Sequence, residues 1–110
     1  GQQLPSLEGP TWILDGTIAG TQITAEFANG QVTGSAGCNN YSGSYISTPG
    51  ASGGQITISD LGPTMMLCEE EIMDQETRYL SSLMAATRYS IEDNELTIHY
   101  PGGRLVYYGQ

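Results

Sequence analysis

The two cysteines of this 110-residue chain, Cys38 and Cys68, constrain its fold more than any other feature. The first lies in residues 37–45, Gly-Cys-Asn-Asn-Tyr-Ser-Gly-Ser-Tyr, and the second ends residues 64–68, Thr-Met-Met-Leu-Cys. A bond between them would tie a strand-and-turn region to the start of a helix and contribute about 3.5–4 kcal/mol of stability. The alternative is two buried, unrelated thiols in a cytosolic protein. The turn-forming residues around both positions favour the disulfide, and therefore an oxidising compartment.

Alternating apolar residues predict short strands along most of the chain. The Asn29-Gly30 step predicts a tight hairpin, because both of its turn positions favour a positive φ. Residues 93–94 and 101–103 indicate further turns, and the Gly/Ser-rich segment 48–54 is interpreted as a mobile loop between strands. The alternating segments are residues 12–15, 23–27, 32–34, 41–45, 56–58, 96–100 and 104–108.

A helical spacing of apolar residues replaces the strand pattern after Cys68. We expect one helix of about 15–20 residues, with Glu69–Glu71 in its first turn and Arg88 near its last, where these charges suit the helix dipole. The residues on its apolar face are Ile72, Tyr79, Leu80, Leu83 and Met84, with Thr87 closing the face.

These elements predict one α+β domain over residues 1–110 that is mainly β. Seven or eight short antiparallel strands with close turns are typical of a small β-barrel or a strongly curved sheet. The amphipathic helix would cap one end of the barrel or pack on one face.

The charge balance excludes one class of partner. The chain has 12 Asp and Glu residues against 3 Arg and no Lys, for a net charge of -9. Nucleic-acid binding needs clustered cations, so we expect none, and adsorption to anionic lipid is disfavoured for the same reason. No apolar stretch reaches the length of a membrane span.

Several motifs together resemble the META domain family, which includes the bacterial heat-shock protein HslJ. The elements that carry the resemblance are Gly-Cys-Asn-x-Tyr-x-Gly-x-Tyr at residues 37–45 and Thr-x-Met-x-Cys at 64–68. The matching segments around them are Leu7-x-Gly9-x-x-Trp12-x-Leu14, Glu76-x-x-Tyr79-Leu80-x-x-Leu83 and the closing hairpin 95–108. The resemblance covers nearly the whole chain, and the acidic run at 69–71 departs from it.

The resemblance implies a small barrel-like META fold and an extracytoplasmic location: periplasm, outer-membrane lipoprotein or secreted. It allows a lipid anchor upstream of residue 1. Members of the family are linked to stress response, antibiotic tolerance and virulence. The family has no active site to carry over, so we expect no enzyme activity and no cofactor. We expect a monomer that meets a protein or envelope partner.

Five residues around the first motif are candidates for a small polar recognition site: Asn39, Asn40, Tyr41, Tyr45 and Thr64. The competing interpretation is structural, since Asn tolerates left-handed backbone and satisfies turns through its side chain. The tyrosines also suit half-buried strand positions, and of the adjacent Tyr107 and Tyr108 at least one should be exposed or covered by a neighbour.

Other chemistry is poorly supported by the residues. The acids Glu69–Glu71, Asp74 and Glu76 lack the glycine turn of a calcium loop and are interpreted as a solvated helix N-terminus. A zinc site is disfavoured because His99 is the single histidine. His99 is expected to point away from the core, and no Gly-x-Ser-x-Gly elbow accompanies it.

Three functions remain open at this point. The first is a non-enzymatic envelope or secreted domain that acts by binding or by supporting the envelope under stress. The second is a small-ligand carrier, although Trp12, Phe27, Ile56, Ile58 and Leu96 leave little room inside a barrel. The third is a protein-binding or inhibitor module that uses loop 48–54.

Overall fold

Eight antiparallel strands close into a barrel in the computed structural model, which describes residues 7–49 and 53–110. Each strand pairs with its neighbours in sequence, and β1 pairs with β8 to complete the closure. The mainly β fold with one helix, predicted from the alternation, is confirmed. The elements are β1 (Trp12–Leu14), β2 (Thr24–Ala28), β3 (Gln31–Ser35), β4 (Asn40–Pro49), β5 (Gly53–Pro63), α1 (Glu70–Met84), β6 (Arg88–Glu92), β7 (Glu95–Tyr100) and β8 (Gly103–Gly109).

The turns follow the local sequence closely at the β2–β3 hairpin. Asn29 and Gly30 both adopt positive φ, 53° and 78°, as the hairpin prediction requires. The prediction of a loop over residues 48–54 is wrong for residues 48–49 and 53–54, which belong to strands. Thr48 pairs with Gln55, and β5 begins at Gly53. Ladder hydrogen bonds use only the backbone, so a Gly/Ser-rich segment can extend two strands without an apolar pattern. Residues 50–52 lie outside the described part.

The barrel interior is filled by the inward-facing residues of all eight strands. On β2, for example, Ala25 and Phe27 are buried while Glu26 between them is exposed, which confirms the predicted alternation. Trp12 is buried as well, and its indole N–H donates to the Leu7 carbonyl at 2.9 Å. The buried apolar side chains contributed by the strands are Trp12, Ala25, Phe27, Val32, Tyr41, Ile56, Ile58, Tyr89, Ile91, Leu96, Ile98 and Tyr107.

Helix α1 lies over one end of the barrel, where Tyr79 packs against Tyr41 of β4 and Tyr107 of β8. The helix has 15 residues, at the lower limit of the predicted length, and it ends earlier than predicted. It stops at Met84 because the Thr87 amide instead donates to the His99 carbonyl of β7 at 2.9 Å. Arg88 therefore begins β6 and does not lie in the last helical turn, which contains no basic residue.

The apolar face of α1 is also narrower than the spacing predicted. Tyr79 and Leu83 are buried, whereas Met84 is half exposed and Thr87 is exposed. No helix within residues 7–49 and 53–110 has the length and apolarity to cross a membrane.

Candidate functional site

The Cys38–Cys68 disulfide is present, which confirms the pairing predicted from the two motifs. It joins the β3–β4 turn to the segment between β5 and α1, with the two Cα atoms 6.1 Å apart. Both cysteines of the chain are therefore oxidised. Such bonds persist in oxidising compartments and are rare in the cytosol, which favours a location outside the cytoplasm.

Asn39, next to the disulfide, is buried and holds three segments together. Its side-chain oxygen accepts hydrogen bonds from the Thr64 hydroxyl at 2.9 Å and from the Met66 amide at 2.6 Å. Its side-chain amide donates to the Met66 carbonyl at 3.1 Å and to Glu76 Oε2 at 2.8 Å. An Asn side chain has two donors and two acceptor sites, so all four are used within the protein. Asn39 thus positions the segment 64–66 with all of its side-chain hydrogen-bonding groups.

Glu76 is the residue that sequence reasoning misplaced. The sequence pattern places it among the solvated acids of the helix N-terminus, but its side chain is buried. Its Oε1 accepts the Asn39 backbone N–H at 2.6 Å, in addition to the side-chain bond to Oε2. The three acids at 69–71 are exposed as predicted. The signal that could have separated Glu76 is its helical spacing of three from Tyr79, which places both on the buried face.

We expect the Asn39–Glu76 pair to be essential for stability. Glu76→Ala removes the acceptor of two buried N–H groups, so the free energy of unfolding should fall by about 2–4 kcal/mol. Asn39→Asp keeps the size of the side chain but opposes two carboxylates, and should be at least as damaging. Urea unfolding monitored by circular dichroism would measure both.

The matched control for this pair is Asp74→Ala, two residues before Glu76 on the exposed side of the same helix. It should change stability by less than about 0.5 kcal/mol. A loss for Glu76→Ala no larger than the loss for Asp74→Ala would contradict a structural role for the buried carboxylate.

A groove lined largely by apolar side chains lies between α1 and the segment that Asn39 positions. We call it the methionine groove; it has a volume of about 330 Å³. Asn39 and Glu76 also border it. Met65 and Leu67 are each 91% exposed, and Met66 is 54% exposed. The apolar residues that define the groove are Pro63, Met65, Met66, Leu67, Met73 and Leu80.

These side chains are exposed although the backbone that carries them is held by a disulfide and by hydrogen bonds. Cys68 is bonded to Cys38, Met66 is held by Asn39, and the Thr64 amide donates to the Asn40 carbonyl at 2.8 Å. A fixed loop that presents three large apolar side chains to solvent is typical of a binding surface. Methionine is well suited to such surfaces because its flexible thioether adapts to different partners.

The five predicted recognition residues are not all brought together. Asn39, Asn40 and Thr64 meet beside the methionine groove, where the backbone N–H of Asn40 donates to the Thr64 hydroxyl at 3.2 Å. Tyr41 instead points into the closed end of the barrel, and Tyr45 packs edge-on against Phe27 with ring centroids 5.0 Å apart. Whether any of the five contacts a ligand stays a prediction.

Three buried tyrosines form a directed hydrogen-bond chain under α1. Tyr107 donates to the Tyr79 hydroxyl at 3.0 Å, and the Tyr41 hydroxyl donates to the Thr24 carbonyl at 2.7 Å. Each hydroxyl has one proton, so Tyr79 must donate to Tyr41 across their 2.7 Å contact. Burial raises the pKa of all three phenols well above the ordinary value of 10.0. The three phenols therefore stay protonated to a higher pH than ordinary tyrosines do. Their hydrogen bonds fix the helix to the barrel.

The remaining candidates from the sequence are placed as follows. On β7, Leu96 and Ile98 are buried while His99 is only half buried. This agrees with the expectation that His99 faces away from the core. Tyr107 is buried and Tyr108 is 46% exposed, as adjacent strand positions require. Within the described residues no three His, Cys, Asp or Glu side chains are grouped closely enough to hold a metal ion.

Comparison with known proteins identifies the family. The sequence model of the META domain matches residues 3–110, which is nearly the whole chain. The chain belongs to the META domain family. The resemblance inferred from the two cysteine motifs is thereby confirmed.

Two solved structures share the fold of this META domain. The NMR structure of a protein from Burkholderia xenovorans is 25% identical, with a TM-score of 0.73 over 94% of this chain and 83% of that chain. A second NMR structure is 20% identical, with a TM-score of 0.71 over 93% of this chain and 90% of the other. No protein with a curated function gives a significant match.

Proposed function

We propose that this META domain is a non-enzymatic binding module of the envelope or the secreted space, and that its methionine groove receives an apolar segment of a protein partner. The observation that carries the proposal is the 91% exposure of Met65 and Leu67 on a backbone fixed by a disulfide and by Asn39. Burying one such side chain against a partner gains about 1.5–3 kcal/mol. Met65, Met66 and Leu67 are also consecutive in sequence, whereas the other exposed large apolar side chains of the described residues, Ile18, Ile46, Met84 and Tyr108, are separated along the chain.

A binding role is also supported by the state of the reactive residues. A bonded cysteine is no nucleophile, and both cysteines are bonded. His99 lines a shallow cleft with Arg88 and Tyr89 that contains neither cysteine. These placements favour recognition over catalysis.

The proposed location follows from the disulfide and from the family. Among extracytoplasmic sites we propose the periplasm, an outer-membrane lipoprotein or a secreted form, each of which is oxidising enough to retain the bond. A role under envelope stress fits this setting, because a cross-linked barrel tolerates conditions that unfold less constrained domains.

The two other functions considered from the sequence have different support. For a small-ligand carrier, Trp12, Phe27 and Leu96 are buried and belong to one packed core, which favours a ligand site outside the barrel interior. Partner binding through loop 48–54 stays a prediction, since residues 50–52 lie outside the described part.

Site-specific photo-crosslinking in the native host would test the proposal. A photoreactive amino acid at Leu67 should capture one discrete protein adduct, and Met65→Asp in the same chain should abolish it. The matched control places the same amino acid at Ile46, which is 74% exposed on β4 close to loop 48–54. An adduct at Ile46 and none at Leu67 would overturn the methionine groove in favour of the loop.

A further inference from the structure

A second cleft lies on the other side of α1, between the helix and the connection from β1 to β2. It has a volume of about 490 Å³, which is within the range of small-molecule sites and larger than the methionine groove. Its floor is formed by Ile23 and Tyr79, the buried lining residues, which belong to the hydrophobic core. The apolar and aromatic residues that line it are Leu14, Ile18, Ile23, Tyr79, Tyr100 and Leu105.

The walls of this cleft are joined by one residue of the helix. Gln75 Oε1 accepts the Ile18 amide N–H at 2.8 Å, and Gln75 Nε2 donates to the Thr21 hydroxyl at 3.2 Å. The Thr21 hydroxyl in turn donates to the Ile18 carbonyl at 2.6 Å. The β1–β2 connection is thus fixed to α1, so the cleft exists before any ligand arrives. Preformed sites lose less entropy on binding.

The polar rim is supplied by the same helix face. Glu71, Asp74 and Arg78 are spaced by three and four residues, so they lie in a row along the cleft. Two carboxylates against one guanidinium give the rim a net charge of -1, and the whole chain carries -9. The electrostatic potential at the cleft therefore favours a cation over an anion. The Tyr100 ring can add a cation–π contact.

We propose that this cleft binds a small amphipathic cation, with its apolar body on the floor and its ammonium group at Glu71 and Asp74. The apolar floor and the carboxylates of the rim bind different parts of such a ligand. An apolar molecule alone gains nothing from the carboxylates, and an inorganic cation alone gains nothing from the apolar residues. This site is separate from the methionine groove and does not depend on the function proposed for it.

Titration of the ¹⁵N-labelled protein with octylammonium, octanoate and octanol would test the proposal by NMR. Octylammonium should shift the amide signals of Ile18, Gln75 and Tyr100 and bind about fivefold more tightly than octanol, since an exposed ion pair contributes at most about 1 kcal/mol. Octanoate should bind more weakly than octanol. Equal affinity for the three probes, or no saturable shifts with octylammonium, would overturn the proposal.

Isosteric variants distinguish the effect of the rim carboxylates on ligand affinity from the effect of the net charge of the protein. Glu71→Gln with Asp74→Asn should reduce octylammonium affinity about fivefold. The matched control is Glu92→Gln with Glu95→Gln, which removes the same charge from the exposed β6–β7 turn and should leave the affinity unchanged. Equal losses in both double variants would show that only net charge acts. Met65→Asp should not alter octylammonium binding, so failure of one site is distinguishable from failure of the other.

Discussion

Replacing both cysteines by serine should lower the free energy of unfolding by about 3.5–4 kcal/mol. The bond closes a loop between residues separated by 30 positions, and its loss frees that loop in the unfolded chain. Small domains have a total stability of about 5–15 kcal/mol, so the change is a large part of the whole. Urea unfolding of wild type and the Cys38→Ser, Cys68→Ser double variant measures it. We expect the melting temperature to fall by roughly 15–20 °C.

Two features distinguish loss of the bond from other damage. The denaturant dependence of the unfolding free energy should rise in the double variant, because its unfolded chain exposes more surface. Reductant should destabilise the wild type and leave the double variant unaffected, which serves as the control. A loss below about 1 kcal/mol would contradict the prediction and would mean that the Asn39 contacts alone hold the two segments together.

The second large effect is expected at alkaline pH. Tyr41, Tyr79 and Tyr107 have pKa values raised by burial, so their phenols stay neutral in the folded protein when the unfolded chain has already ionised near pH 10.0. The unfolded state then binds fewer protons, and stability falls as pH rises. Below the pKa of tyrosine in the unfolded chain, the three phenols contribute their full stabilisation. Above that pKa, each phenol lowers the free energy of unfolding by about 1.4 kcal/mol per pH unit, or about 4 kcal/mol per pH unit for the three.

Urea unfolding at about pH 9, 10 and 11, followed by circular dichroism and by phenolate absorbance, measures this effect. Tyr79→Phe removes the middle hydroxyl and should cost about 1–3 kcal/mol at neutral pH while reducing the alkaline slope by about a third. Tyr108→Phe is the control, since Tyr108 is half exposed on the next position of β8. An unchanged slope in Tyr79→Phe would show that the buried chain does not govern alkaline unfolding.

The two large effects act on neighbouring parts of one structure. The disulfide fixes the segment that forms one wall of the methionine groove, and the tyrosine chain fixes the helix that forms the other wall. We therefore expect variants at both places to weaken partner binding as well as stability. The crosslink at Leu67 should decrease in both, even though neither substitution touches the groove surface.

Much of the fold could be predicted because its signals are local. The alternation at residues 23–27 and 96–100, and the Asn29-Gly30 turn, depend on side-chain period and backbone preference within a few residues. The end of the helix could not be predicted in the same way. The apolar spacing continues to Met84 and the sequence allows it to reach Thr87, but pairing of Thr87 with His99 of β7 stops the helix.

The candidate site was predicted only in part. Asn39 and Thr64 do meet, as expected for residues in the two cysteine motifs. The exposure of Met65 and Leu67 had no sequence signal, since an apolar residue is as compatible with a core as with a binding surface. The cleft beside Gln75 was also missed, because its two walls are separated by more than fifty residues.

By itself, the sequence determined the strand pattern, the hairpin, the family and the pairing of the two cysteines, because each rests on local periodicity or on a motif of fixed spacing. Only the tertiary structure decided that Glu76 is buried, that three tyrosines form one chain and that α1 is flanked by two clefts. Glu76 lies 37 residues from Asn39 in the chain. The closed barrel brings such distant groups together, and the requirement that a buried carboxylate be hydrogen-bonded then fixes their partners.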